Sequence, residues 1–174
     1  MTRRISVIAV VGVMLLALGA CGSSSLSSSS SAPTSSSAST TGQVKLAKTK
    51  FVLHAGLAFG AFHHWIYGPA KAGELTHPFS HKLAVVEAAL AAAFVYHELG
   101  LALKDAQSDP TLSKLVSPIT ALQSKLHGLS GEVRSGAASS GSVDTVNSTV
   151  SSIKQQAAGA GQAITEQLPA TPGG

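Results

Sequence analysis

From Phe51 to Ala70 the chain runs for twenty residues without an Asp, Glu, Lys or Arg. A helix over this run is apolar nearly all round, with Phe51, Val52, Leu53, Leu57, Phe59, Phe62, Trp65 and Ile66 spread over every face. Such a helix is buried on all sides or spans a membrane. In a plain four-helix bundle each helix keeps one wet face, so this one requires cover from a second copy, a ligand, a fifth element or lipid. Gly56 and Gly60 form a GxxxG, which favours close packing in membranes. Three histidines within the run and Gly68-Pro69 at its end weigh against a span.

Apolar spacing predicts four helical stretches and no strand-like alternation. The first covers 44–67 and stops at Gly68-Pro69. The second covers 78–106, with Pro78 in its first turn and Thr76 or His77 as cap. The third begins at Asp109-Pro110, with Asp as N-cap and Pro at the first helical position, and runs to about Leu126; Pro118 should kink or split it. The fourth covers 142–168 and is weakened at Gly159-Ala160-Gly161. Val143, Val146, Val150, Ile153, Ala157, Ala160 and Ile164 give it a narrow seam spaced by threes and fours. Leu112, Leu115, Val116, Ile119, Leu122 and Leu126 give the third a similar stripe. The second carries two stripes, Val85-Ala89-Ala92-Tyr96-Leu99-Leu103 and Leu83-Glu87-Leu90-Phe94-His97-Leu101. The fold class is therefore all-α, a helical hairpin within a small, roughly four-helix bundle.

The N-terminus has a different character. Arg3 and Arg4 precede an apolar run, Ile5 to Leu18, which is too short for a confident span and ends in small residues. Leu18-Gly19-Ala20-Cys21 resembles the lipobox of bacterial lipoproteins, and Cys21 is the only cysteine in the chain. The resemblance implies cleavage before Cys21 and a diacylglycerol on its thiol. Residues 1–20 are then a signal peptide. Residues 21–43, rich in Ser, Thr, Ala and Gly, are a disordered linker with an extended reach on the order of 70 Å. Residues 44–168 are the helical domain and 169–174 a loose tail. The Ala- and Gly-rich composition resembles that of uncharacterised secreted actinobacterial proteins, a likeness that brings no activity with it.

A single cysteine excludes an internal disulfide framework and any cysteine-based zinc cluster. A net charge of +4 with 11% charged residues, and no dense basic patch, argues against nucleic-acid binding. No GxSxG, P-loop, GxGxxG, HExxH or CxxCH motif is present. Chemistry, if any, belongs to the hairpin, which holds all eight aromatic residues and six of the seven histidines. Folding it about residue 72 gathers His63, His64, His77 and His81 at one end and sets His54 within a turn of Glu87. The four histidines are candidate ligands for zinc, copper or a haem, or else hydrogen-bonding residues at helix ends. His54 with Glu87 reads as a buried polar pair, either a satisfied core pair or a proton-transfer pair.

The expectation is a surface lipoprotein, tethered through Cys21 to the extracytoplasmic face of a bacterial membrane and without a recognisable catalytic device. The hairpin at 44–106 would engage a protein partner of the envelope, lipid or a second copy. A metal- or haem-binding envelope lipoprotein is the alternative.

Overall fold

The computed structural model describes residues 37–77 and 79–174, with the side chains of 37–45 excepted. Cys21, the signal segment, most of the linker and Pro78 lie outside the described residues. The described chain is a helical bundle without strands. Its elements are α1 (Ser37–Phe62), a π-helical turn (His63–Tyr67), α2 (Gly68–Lys71), α3 (Lys82–Ser108), a 3-10 turn (Ser113–Leu115), α4 (Val116–Ser135) and α5 (Ser140–Gly159).

The first helix starts earlier and ends later than its composition suggests. It begins at Ser37, inside the segment expected to be linker, and continues through Gly68-Pro69 to Lys71. In a regular helix the Pro69 ring would strike the carbonyl of Trp65, four residues back. The π turn relieves this conflict: the Gly68 N–H donates to the His63 carbonyl, five residues back, and Pro69 then sits in the first turn of α2. The loop that follows is pinned by Leu75, which is fully buried, and by Gly73 at φ 79°. Its last residues turn through hydrogen bonds from the Ser80 and His81 amides to the His77 carbonyl, so α3 begins only at Lys82.

The large buried side chains of α1 and its π turn (Phe51, Phe59, Phe62 and Ile66) share a core with a face of α3 that is rich in alanine, Ala88, Ala91, Ala102 and Ala106, with Val95 and Leu99 between them. Large against small brings the two helices close, and each fully buried aromatic contributes about 1.5–3 kcal/mol. This face lies between the two stripes expected for α3. Alanine is a weak hydropathy signal, but it decides how near a neighbouring helix can come.

α4 and α5 bury the seams read from their spacing: Ile119, Leu122 and Leu126 on α4, and Val143, Val146, Val150, Ile153 and Ala157 on α5. The helix expected to start at Asp109-Pro110 starts instead at Val116: the Asp109 carboxylate accepts from the Thr111 and Leu112 amides, but it closes a turn at the end of α3 and caps no α-helix. Pro118 does not kink a helix, because the chain turns as a 3-10 segment first and Pro118 falls in the opening turn of α4. α4 runs past Gly128 and ends at Gly136, which is left-handed at φ 70°.

The fourth predicted helix is shortened. α5 stops at Gly159, and Gly161 (φ 77°) turns the chain out, with the Gln162 amide reaching back to the Ala157 carbonyl. Residues 162–168 then run without helix, as a strap laid along α1. The Gln167 N–H donates to the Gly56 carbonyl at 3.0 Å, and Ile164 is buried. The tail, expected to be loose, closes in a turn with the Thr171 hydroxyl on the Gly174 carbonyl, and Gly174 lies against the Phe94 ring.

The strap is the fifth element that the charge-free helix requires. A Cβ on Gly56 would stand 2.4 Å from the Thr165 carbonyl oxygen, and one on Gly60 would stand 2.1 Å from that of Gln167. The GxxxG pair therefore admits an extended chain to the surface of α1, where the sequence suggested a second helix.

Candidate functional site

Two histidine–carboxylate links bind α1 and its π turn to the rest of the molecule. In the first, His54 Nδ1 lies 2.7 Å from Glu98 Oε2 on α3, and Nε2 lies 3.9 Å from Asp105 Oδ2, one to two turns further along. Nδ1 faces a carboxylate and therefore carries the proton. Glu98 is almost wholly buried. Asp105 Oδ2 is buried without a hydrogen bond, and burial pushes the Asp105 carboxyl above the usual carboxylate range, partly offset by the charges of His54 and Lys50. Lys48 approaches buried Asp109 at 3.8 Å, extending this polar seam.

The expected partner of His54 was Glu87, and Glu98 takes that place. The reason is register. Because the first helix runs on to Lys71 and the loop extends to His81, the hairpin folds about residue 76, the midpoint of His54 and Glu98. This moves the level of His54 along α3 by about two turns. Glu87 remains half-buried elsewhere on the helix.

In the second link the π turn aims His63 at α5 and the strap. His63 Nδ1 lies 2.6 Å from Glu166 Oε2, and Nε2 lies 2.7 Å from Asn147 Oδ1. The other Glu166 oxygen accepts from Lys154 Nζ. His63 also stands edge-on to Tyr67, whose ring carries the Lys71 ammonium on its way to Asp144. Both ring nitrogens of His63 are engaged, so neither offers a lone pair to a metal.

The four-histidine cluster does not assemble. His63 is committed to Glu166 and Asn147, His64 stacks edge-on against Trp65 with its side chain exposed, and His77 and His81 are exposed in the loop. Among the described residues no group of three or more His, Cys, Asp or Glu has metal-holding geometry. The two-helix end that should have gathered these residues is opened by the longer first helix and by the late start of α3. These four histidines therefore do not come together as one metal site.

Glu166, Asn147, Glu98 and Asp105 were not singled out in the sequence. Glu98 had a readable signal, an acid on the small-residue face of α3. Glu166 had none, since its role depends on the strap leaving the helix.

Burial pushes the Glu166 carboxyl up, but hydrogen bonds from Lys154 and His63, and their charges, outweigh it and hold the group below its ordinary value of 4.5. A lowered folded-state value means that the link stabilises the strap above the ordinary glutamate range. That stabilisation starts to fall as the pH drops through the ordinary value and is lost below the lowered one. The amide resonances of 164–168 should therefore shift on acidification through this window, and in Glu166→Gln they should not follow pH there.

The surface offers two other features. A groove of about 230 Å³ between α3 and α4 is lined by Ala92, Ala93, Tyr96, Leu126, His127 and Arg134, among others. On the solvent side of α3 and the loop before it, Phe79 (88% exposed), Leu83 (71%), Val86 (55%) and Leu90 (51%) form an uncovered apolar stripe. α3 is the one described helix long and apolar enough to cross a membrane by length and composition, with 33% of its most apolar window buried. The charge-free run Phe51–Ala70, by contrast, packs against α3, α5 and the strap, with Leu53 left 41% exposed.

Compared with known proteins, the chain matches no family model, no curated protein and no solved structure.

Proposed function

We propose that this is a bacterial envelope lipoprotein, held by lipid on Cys21 to the extracytoplasmic face of a membrane, whose helical domain acts by contact and not by catalysis. The observation that carries the reading is Leu18-Gly19-Ala20-Cys21, the only cysteine placed directly after a charged start and an apolar run. Two or more acyl chains give stable anchoring where one is marginal. The contact role is supported by the polar groups of the domain. The histidines of the two links are hydrogen-bonded to carboxylates of neighbouring segments and join those segments to α1 and its π turn, which is the work of structural pairs. The uncovered stripe on the hairpin is the surface left for a partner, lipid or a second copy.

The test is the intact mass of the protein extracted from the membranes of a bacterium that expresses it. The expected mature chain begins at Cys21 and carries the added mass of a diacylglycerol, with or without a further acyl group. A chain beginning elsewhere, with an unmodified Cys21 or none, would overturn the reading.

A further inference from the structure

We propose that the hairpin tip formed by Phe79, Leu83, Val86 and Leu90 inserts into the surface of the bilayer, as a second contact beside the lipid on Cys21. The inference deepens the lipoprotein reading and rests on it for the identity of the membrane.

Three observations favour a bilayer over a second copy of the chain. First, the stripe begins outside the helix. Phe79, the most exposed of the four, lies in the loop before Lys82, and a helix-to-helix seam has no use for a loop side chain. An aromatic ring at a loop tip beside one apolar helix face is how chains seat themselves at the boundary of headgroups and acyl chains.

Second, the flanking charges match anionic headgroups. His77, His81 and Lys82 surround Phe79 and are exposed, whereas the nearby carboxylates, Glu74 and Glu87, are half-buried. On the solvent face of α3 the apolar positions give way toward the C-terminus to His97 and Lys104, again without an exposed acid. Each Lys or Arg near an anionic surface adds about 1 kcal/mol of attraction, a contribution that beside Phe79 comes from Lys82.

Third, the chain outside the described domain is long enough. Residues 22–36 separate Cys21 from the start of α1 and reach at most about 50 Å. The first helix, 37–71, is itself about 50 Å long. With the stripe of α3 seated on the surface the domain lies along the membrane, and the start of α1 is then well within the reach of the tether. Leu75, fully buried, holds the loop so that Phe79 projects from a fixed base.

The consequence is orientation. A domain held by lipid alone swings on its tether. One held also by its tip presents a fixed side to the solvent.

The test uses the mature, lipidated protein in vesicles of phosphatidylglycerol and phosphatidylcholine. The sole tryptophan, Trp65, is replaced by Phe, and Phe79→Trp puts a reporter at an 88% exposed position where a larger ring meets no core. With lipids brominated on their acyl chains, emission should fall by about half, as befits a ring seated ~5–10 Å into the boundary. Flotation of the same sample and its intact mass report the anchor separately. Floating protein with unquenched emission overturns the tip contact and leaves the anchor standing. Protein without acyl mass, added to the same vesicles and quenched, supports the tip contact while the anchor reading fails. Leu90→Cys chains that cross-link in floating, unquenched samples place a second copy on the stripe and overturn the proposal.

Discussion

Gly60→Ala is expected to destabilise the folded protein by about 2–3 kcal/mol, the cost of forcing extra volume into a closed contact. The added methyl would stand 2.1 Å from the Gln167 carbonyl oxygen and 2.6 Å from its carbon. Both are backbone atoms, so no rotamer change relieves the overlap, and the strap must lift from α1. Lifting it breaks the Gln167–Gly56 hydrogen bond, exposes Ile164 and draws Glu166 away from His63. Denaturant unfolding of four chains tests this: the full-length protein, Gly60→Ala, a chain ending at Gly161, and the two changes combined. In the shortened chain the clash is gone, and alanine should now be as good as glycine or better by up to about 1 kcal/mol, its ordinary advantage in a helix. The change of sign isolates the strap as the cause. Equal destabilisation in both backgrounds would assign the cost to α1 alone.

Glu98→Ala should cost about 3 kcal/mol or more. Glu98 is almost wholly buried and is the hydrogen-bonding partner of His54 Nδ1, and removing one member of a buried pair leaves the other without compensation. His54→Ala should cost less than Glu98→Ala. It removes a group that is one-fifth exposed and leaves Glu98 a path to solvent through the space vacated. The double change His54→Leu with Glu98→Leu should recover most of the loss, because an apolar pair of similar volume replaces a costly burial. Urea midpoints of the single and double variants decide the matter. A double variant as unstable as the sum of its parts would mean that the pair fixes the register of the hairpin and does more than satisfy itself.

These two sites also mark where the sequence was legible and where it was not. The seams of α4 and α5 are long and regular, and the spacing of Leu112 to Leu126 and of Val143 to Ala157 is what the bundle buries. The Asp109-Pro110 start is misplaced: the carboxylate makes the amide contacts of a cap, but they close a turn, and the helix begins at Val116. Other errors lie at helix ends, where local stop signals compete with packing and spacing. Gly68-Pro69 reads as a helix end, yet a single π turn lets the helix continue, and that one change of register moves the partner of His54 from Glu87 to Glu98. Conversely, Ile164 fits the seam of the fourth helix by spacing, yet it belongs to the strap, because Gly161 turns the chain out of the helix.

The requirement for extra cover over Phe51–Ala70 was readable from composition. The identity of that cover was not, since nothing in Gln162 to Leu168 announces a strap until Gly56 and Gly60 are seen to make room for it. With the strap in place, the first helix still exposes Leu46 and Leu53, but the most exposed apolar residues lie at the tip of the hairpin, at Phe79 and Leu83.

The central claim is that the chain covers its own charge-free helix. Native-state hydrogen exchange at the Gln167 amide tests it most directly, because among the described residues that N–H makes the backbone bond between the strap and α1 and has no helical partner of its own. The strap predicts an amide protected to a degree approaching that of the buried α1 amides near Phe59, with protection lost in Gly60→Ala. Exchange of Gln167 at the rate of an unstructured chain, with α1 fully protected, would contradict it and return the search for cover to a partner molecule.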